Sequence, residues 1–169
     1  MVQMHRCKGC GYLHVGPAPE HCPVCGASQT AFVAYEGPGD LTGTKTLDNL
    51  KEAFAGESQA NRRYTLFLRI AQLEGAPASA LDAFSRAAEE ETAHALGHLA
   101  YMSGFGTTAE NLVVAAQGEE NEAAHMYPSF ADTAESEGYP EIAQYFRSVG
   151  RYENEHRAAY AEALKELED

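Results

Sequence analysis

The chain has 169 residues, of which 44% are hydrophobic and 22% charged, so it has room for one medium globular domain and a small module. Its formal net charge of −13 argues against nucleic acid and anionic membranes as partners, because both attract basic patches. No stretch approaches the ~20 apolar residues of a membrane span, and the opening residues MVQMHR offer no apolar signal region, so we expect a cytoplasmic protein.

The cysteines form the first motif. They occur as two pairs with CxxC spacing, namely Cys7 with Cys10 and Cys22 with Cys25. In a reducing compartment such pairs bind metal more often than they form disulfides, which are the alternative. Gly11 and Gly26 follow the pairs and let the backbone turn tightly toward a metal. Tetrahedral thiolate coordination suits iron and zinc alike, so the pattern predicts a four-cysteine site for one of these metals.

The end of this first module is marked by a change of pattern. A short apolar run at residues 31–35 predicts a strand. Residues 36–40, with the sequence EGPGD, predict a linker. From about Thr46 onward the periodicity is helical. We therefore predict two domains, a four-cysteine domain over 1–38 and a helical domain over 44–169.

Four long helices are predicted in the second domain. Their bounds are Leu47–Glu74, Ala78–Met102, Ala109–Gly138 and a fourth helix from Pro140 onward. Glycines close the first three helices, and proline is favoured in the first turn of a helix, as in the fourth. The pattern predicts a mainly α protein.

Each predicted helix carries metal-ligand side chains near the middle of its apolar stripe. The second and fourth helices each hold a Glu-x-x-His motif, whose two side chains leave the same helix face. The candidate ligands are Glu57, Glu91, His94, Glu119, Glu122, Glu153 and His156. A charged side chain on an apolar stripe is costly unless it is paired or bound to metal. This ligand set is that of ferritin-like di-iron four-helix bundles.

A solvated acidic face is the alternative interpretation of any single Glu-x-x-His motif. Four neighbouring acidic residues lie off the stripes and are expected to be solvated: Glu89, Glu90, Glu120 and Glu155. The bundle template requires Glu119 but not Glu122. Tyr64 and Tyr127 lie within two turns of candidate ligands, where a tyrosine either hydrogen-bonds a ligating carboxylate or packs with its hydroxyl at water.

Taken together, these motifs resemble those of rubrerythrins over nearly the whole chain. The rubredoxin-like signature is CKGCGY at 7–12 with CPVCG at 22–26. The di-iron signature comprises AGESQA at 55–60, ExxH at 91–94, GExxE at 118–122, MYPSF at 126–130 and ExxH at 153–156. The resemblance implies a ferritin-like four-helix bundle that reduces hydrogen peroxide to water in oxidative-stress defence. It also implies that electrons arrive through an iron bound by the four cysteines.

The resemblance also implies a role for each ligand. Glu91 and Glu153 would be carboxylates that bridge two irons. Four further residues would complete the site, Glu57 and Glu122 at one iron and Glu119 and His156 at the other. The first iron would exchange Glu122 for His94 as its redox state changes. Tyr64 and Tyr127 match family tyrosines that hydrogen-bond the ligand carboxylates.

Electron supply and competing functions follow from the same motifs. The chain shows no Gly-rich dinucleotide fingerprint, so we expect an external donor, either a rubredoxin or an NAD(P)H-dependent reductase. Because the neighbouring carboxylate site is of a redox-active type, we expect iron rather than zinc in the four-cysteine site. The alternatives are a ferroxidase or iron-handling protein with a structural zinc module, and a zinc protein without enzymatic activity.

The order of the domains and one short connection set this chain apart. Its rubredoxin-like module comes first, as in reverse rubrerythrins. In ferritin-like bundles the second and third helices run parallel, and a helix of about 25 residues is roughly 37 Å long. The connection from Gly104 to Thr108 spans at most about 18 Å. We therefore expect a homodimer in which two chains exchange helix hairpins.

Overall fold

The computed structural model describes residues 2–168, so the outermost residues of the two predicted domains, Met1 and Asp169, lie outside the described part. The chain forms two compact units: unit 1 ends at Phe105 and unit 2 begins at Gly106. The protein is mainly α, as predicted, with a small three-stranded module at its start.

The module is an antiparallel sheet in the order β2-β1-β3, with β1 at Met4–Cys7, β2 at Leu13–Val15 and β3 at Phe32–Tyr35. The strand predicted at 31–35 is confirmed as β3, whereas β1 and β2 were not predicted. Cys7 pairs with Phe32 across the sheet. Both side chains are buried with Cys22 in the small core of the module, so the sulfur atoms replace part of an apolar interior.

The rest of unit 1 is a helical hairpin made of α1 at Lys45–Leu73 and α2 at Ala78–Tyr101. Helix α1 begins two residues before the predicted start because the Thr44 hydroxyl accepts a hydrogen bond from the Leu47 amide, 3.1 Å away. The hairpin turns at Gly75, whose φ of +65° favours glycine.

Unit 2 pairs an interrupted helix with α5 at Pro140–Glu168. Its first part is α3 at Thr108–Asn121, which a capping box between Thr107 and Glu110 starts. A π turn at Glu122–Met126 follows, and the helix continues as α4 at Tyr127–Ser136. The helix predicted over Ala109–Gly138 is therefore present, with a π turn inside it that was not predicted.

The interruption has a local cause. The Tyr127 amide donates to the carbonyl of Glu122, five residues earlier, instead of four. The next residue, Pro128, has no amide hydrogen and cannot restore the regular α ladder at that point. The π turn therefore ends two positions before Pro128 and begins two positions after Glu120 of α3.

Small residues fill the helix interfaces, while large apolar side chains remain at the surface of both units. The buried helical residues include Ala71, Ala93, Ala95, Ala100, Ala131, Ala134 and Ala143. By contrast, Leu66 is 54% exposed in unit 1 and Val114 is 68% exposed in unit 2. Across residues 2–168, no helix combines the length and the apolar character needed to cross a membrane.

Candidate metal centres

The four cysteines converge on one point in the module. Their sulfur atoms lie within 4.8 Å of one another. Cys7 Sγ lies 3.8 Å from Cys25 Sγ, and Cys10 Sγ lies 3.6 Å from Cys22 Sγ. Four sulfurs arranged tetrahedrally around a metal at ~2.3 Å stand about 3.8 Å apart. The cysteines are free thiols, and their spacing fits a tetrathiolate metal site rather than a disulfide framework.

The backbone around each cysteine pair is shaped as the sequence predicted. The amides of Gly11 and Gly26 donate to the carbonyls of Cys7 and Cys22, at 2.9 and 2.8 Å. Both glycines have positive φ values, +85° and +71°, which side chains with a Cβ rarely adopt. The two turns direct further backbone amides toward the sulfurs of the first cysteine in each pair.

The thiols differ in their acidity in the metal-free chain. Hydrogen bonds from the Cys10 and Gly9 amides lower the pKa of Cys7 to about 7, against the effect of burial. Burial raises the pKa of Cys10 to about 12 and also raises the pKa of Cys22. Metal binding must therefore displace protons from some of the sulfurs.

The first carboxylate group lies on the α1–α2 hairpin. Glu57 comes from α1, and Glu91 and His94 come from successive turns of α2. His94 Nδ1 lies 3.0 Å from Glu91 Oε2 and 3.9 Å from Glu57 Oε2. All three side chains are partly buried, so the group is sheltered without being closed to small molecules.

The two carboxylates of this group shift each other's pKa in opposite directions when metal is absent. The hydrogen bond with Glu91, together with burial, raises the pKa of Glu57. The same hydrogen bond lowers the pKa of Glu91, and His94 acts in the same direction. Two carboxylates held this close together gain a favourable partner when a cation binds between them.

Unit 2 contains a second group with the same composition and nearly the same distances. His156 Nδ1 lies 2.7 Å from Glu153 Oε2 and 3.7 Å from Glu119 Oε2. Glu119 comes from α3, whereas Glu153 and His156 come from α5. Burial and the hydrogen bond with Glu153 raise the pKa of Glu119. Each unit therefore provides two carboxylates and one imidazole.

Three predicted site residues, Glu122, Tyr64 and Tyr127, are outside the two Glu–Glu–His groups. Glu122 begins the π turn and is not among the clustered ligand atoms of unit 2, although its charge acts on Glu119. Within residues 2–168, no hydrogen bond joins the hydroxyl of Tyr64 or Tyr127 to a carboxylate. Burial and the nearby charges of Glu153 and Glu122 raise the pKa of Tyr127. The roles predicted for these three residues remain predictions.

The acidic residues chosen as solvated comparisons are confirmed as such. Glu89, Glu90, Glu120 and Glu155 are all exposed. They lie next to the clustered glutamates in sequence, yet they point away from the clusters. Position on the apolar stripe, rather than acidity alone, therefore separates the candidate ligands from their neighbours.

One supporting residue was not assigned a role from the sequence. Asn61 lies on α1, one turn after Glu57, and is 8% exposed. Its Nδ2 donates to the Ala88 carbonyl at 2.6 Å and to Thr92 Oγ1 at 2.9 Å, both on α2. A polar residue on an apolar stripe was the available signal. Asn61 fixes how the helices that carry Glu57 and Glu91 face each other.

The donor atoms fit the metals that the motifs predict. Carboxylate oxygens and imidazole nitrogens suit iron, manganese and zinc, and the arrangement of two Glu–Glu–His groups is that of di-iron carboxylate proteins. Four thiolates suit iron or zinc. The residues present are therefore compatible with a carboxylate di-iron site and a tetrathiolate iron.

Comparison with known proteins agrees with this inventory. Residues 48–164 match the family described as Rubrerythrin, and residues 5–33 match the rubredoxin-like domain of rubrerythrin. Rubrerythrin from Porphyromonas gingivalis is 42% identical, over 76% of this chain and 70% of that protein. Rubrerythrin-1 from Clostridium acetobutylicum is 39% identical, over 76% and 74%. Reverse rubrerythrin-1 from the same organism is 34% identical, over 56% and 59%.

Proposed function

Because this chain belongs to the rubrerythrin family, in the reverse-type order with its rubredoxin-like module first, we propose that it reduces hydrogen peroxide to water at a di-iron site. Rubrerythrins are di-iron peroxidases. The observation that carries the proposal is the pair of matching Glu–Glu–His groups, one in each unit. Together they supply six ligands, enough for two metal ions with positions left open for substrate.

In this proposal the two groups hold one di-iron site between them. Glu91 and Glu153 would be the ligands shared by the two metals, Glu57, His94, Glu119 and His156 would complete the set, and Glu122 would be the exchangeable ligand. When bound, two ferrous ions supply the two electrons that cleave one O–O bond. The overall reaction consumes hydrogen peroxide, two electrons and two protons and releases two water molecules.

The ligand carboxylates and Tyr127 also affect the protons and the water at the site. In the metal-free chain the pKa values of Glu57 and Glu119 are raised, so these carboxyls keep a proton to higher pH than ordinary glutamates. The Tyr127 hydroxyl, whose pKa is raised, stays protonated and is available as a hydrogen-bond donor. The partial burial of the carboxylates limits the water around them, which strengthens their interaction with a bound cation.

The complete site further requires a ferritin-like bundle, and we propose that two chains build it by exchanging hairpins. Each unit holds half of the ligands and leaves large apolar side chains exposed. Exposed apolar surface of this kind commonly marks an interface. The connection between α2 and α3 comprises residues 102–107, too few to run back along a helix of 24 residues, which is about 36 Å long.

Electrons enter, in this proposal, through iron in the four-cysteine site. A tetrathiolate iron carries one electron at a time, so two transfers accompany each peroxide. The donor is a rubredoxin or an NAD(P)H-dependent reductase in a reducing compartment, where clustered thiols persist. The backbone amides directed at Cys7 and Cys22 tune the reduction potential of such a centre.

Stopped-flow absorbance on anaerobic, fully reduced, iron-loaded protein tests the proposal. Mixing with hydrogen peroxide should give rapid oxidation of the di-iron site, followed by the visible band of oxidised iron–thiolate, and the cycle should repeat with added reductant. Cys10→Ser should keep the rapid phase and lose the repeated turnover. Zinc in the thiolates without peroxide turnover would contradict the proposal, and uptake of excess iron in that case would favour the ferroxidase alternative.

A further inference from the structure

The four-cysteine module packs against helix α2 of its own unit. The Tyr12 ring covers Gly97 so closely that a Cβ at this position would lie 3.1 Å from ring atom Cδ2. Gly97 is buried and lies inside α2, about one turn before the last residue of this helix. Glycine makes a helix less stable than alanine does. The close approach of the Tyr12 ring explains why a residue without a side chain occupies this position.

A hydrogen bond one turn further along α2 fixes the same contact. The Tyr101 hydroxyl donates to the carbonyl of Gly11 at 2.6 Å. Gly11 belongs to the turn of the first cysteine pair. The Tyr101 ring also packs edge-on against Tyr35 of β3, with ring centroids 6.3 Å apart. Burial raises the pKa of Tyr12 and of Tyr101, as expected for side chains sheltered by this contact.

This packing brings the two candidate centres of unit 1 to one cleft. Cys10 and His94 both line a cleft of about 190 Å³, together with Gly97, His98 and Tyr101. Cys10 is an exposed member of the cysteine cluster, whereas Cys7 and Cys22 are buried. An exposed thiol of the module and the imidazole of the carboxylate group therefore line the same cleft.

Helix α2 sets the spacing between these elements. Along a helix with a rise of ~1.5 Å per residue, Gly97 lies about 4.5 Å and Tyr101 about 10 Å beyond His94. The three residues are separated by three and four positions, so they lie along one side of the helix. One rigid element therefore carries both a metal ligand and the contact points of the module.

We propose that Gly97 and Tyr101 are positioning residues for electron entry, because their contacts hold the four-cysteine module, with Cys10, at the cleft that His94 of the same chain also lines. The inference rests on the metal content assumed in the proposed function. With iron at both centres, each transfer would take one electron from the four-cysteine centre to the carboxylate centre. The external reductant then restores the four-cysteine centre. Since electron transfer slows steeply with distance, loosening the contact should slow this step specifically.

Laser-flash photoreduction of the oxidised, iron-loaded full chain tests the interface without peroxide. A photoreduced flavin first bleaches the visible iron–thiolate band, and the band recovers as the electron passes on. In the unmodified chain the recovery rate should be independent of protein concentration. Gly97→Leu should slow the recovery by about tenfold or more, as expected when a reacting group is misplaced. Gly97→Ala and Tyr101→Phe should give smaller decreases.

The Gly97→Ala change separates positioning from stability. Alanine favours the helix over glycine, so a slower recovery in this variant cannot come from a weaker helix. Gly118→Ala is the matched control, because Gly118 is exposed in α3 and a Cβ there meets no atom within 4 Å. Tyr139→Phe is the control for Tyr101→Phe, since Tyr139 is 54% exposed. Both controls should keep the recovery rate of the unmodified chain.

A second readout reports the contact itself. Hydrogen exchange of the peptide covering residues 8–14 should become faster in Gly97→Leu, while the position of the visible iron–thiolate band stays unchanged. Unchanged exchange and recovery in Gly97→Leu would overturn the inference, as would a band that never recovers in the unmodified chain. Normal recovery of the band without peroxide turnover would support the inference and contradict the proposed peroxidase function. The experiment therefore distinguishes a failure of the inference from a failure of the proposed function.

Discussion

At the scale of single residues, Asn61 links the helices that carry the first Glu–Glu–His group. Its side chain is buried and donates to Ala88 and Thr92 across the hairpin. Asn61→Ala removes both hydrogen bonds and leaves a small void. We expect the free energy of unfolding to fall by about 1–3 kcal/mol, measured by urea denaturation of the metal-free protein. Iron affinity should fall as well, because Glu57 and Glu91 lose their fixed orientation.

Asn154→Ala provides the comparison. Asn154 is exposed on α5 and accepts a single hydrogen bond from Arg157. Its replacement should change the free energy of unfolding by no more than about 0.5 kcal/mol. Equal losses in the two variants would show that Asn61 has no special part in holding the hairpin.

Residue-scale electrostatics predict how the metal-free protein responds to pH. Raised pKa values at Glu57 and Glu119 mean that the folded chain binds protons more tightly there than the unfolded chain. Their stabilising contribution is complete below the ordinary carboxyl range and is lost as pH rises through the raised values. Glu57→Gln removes this loss. The metal-free variant should therefore gain stability relative to the unmodified chain at pH 7, and the gain should vanish near pH 4.

Thermal unfolding with and without iron measures this effect. Glu52→Gln is the matched control, because Glu52 is an exposed glutamate on the same helix. Iron should stabilise the unmodified chain more than Glu57→Gln. A pH-independent difference between the two proteins would contradict the raised pKa of Glu57 beside Glu91.

At the scale of secondary-structure elements, the π turn between α3 and α4 places Glu122 beside the second carboxylate group. A π turn contains one residue more than the corresponding α-helical turn. Deleting the exposed Ala124 should close the helix into a regular α ladder and rotate Glu122 by about 100° relative to the residues that follow. We expect normal helical content by circular dichroism and a large decrease in peroxide turnover.

Ala124→Ser keeps the number of residues and serves as the control for the deletion. It should retain both the fold and the turnover. If the deletion variant turned over peroxide at the unmodified rate, the π turn would have no role in placing Glu122.

Elements with strong local signals could be predicted, and those that depend on distant residues could not. The bounds of α1 and α2 agree with the prediction to within two residues, because apolar periodicity and glycine ends are local features. The Glu–Glu–His groups could be located because a spacing of three residues places two side chains on one helix face.

Strands β1 and β2 have four and three residues, too short to show alternation. The contact between Tyr12 and Gly97 joins residues far apart in sequence, and no local pattern reports it.

At the scale of the whole molecule, hairpin exchange predicts complementation between two inactive variants. Glu91→Ala breaks the group in unit 1, and Glu153→Ala breaks the group in unit 2. In a mixed dimer with exchanged hairpins, one site receives both broken groups and the other receives both intact groups. Purified mixed dimers should therefore regain about half of the di-iron content and turnover of the unmodified dimer.

Differently tagged chains, refolded together and purified through both tags, provide the sample. Each variant alone, treated in the same way, is the control and should stay inactive. Mixed dimers without turnover would mean that every site draws its ligands from one chain. A fully loaded monomer in solution would exclude hairpin exchange directly.

The contacts between the module and α2 also determine how much freedom the linker has. The position of the four cysteines depends on Tyr12 and Tyr101 rather than on the length of residues 36–44. Gly39 has a φ of +83°, and the space beside its Cα is open, with no atom within 4 Å of where a Cβ would lie. Because the entropy cost of a longer loop grows only slowly with its length, extra residues after Gly39 should leave the module in place. Evolution is thus free to vary this segment while the distance between thiolate and imidazole stays fixed.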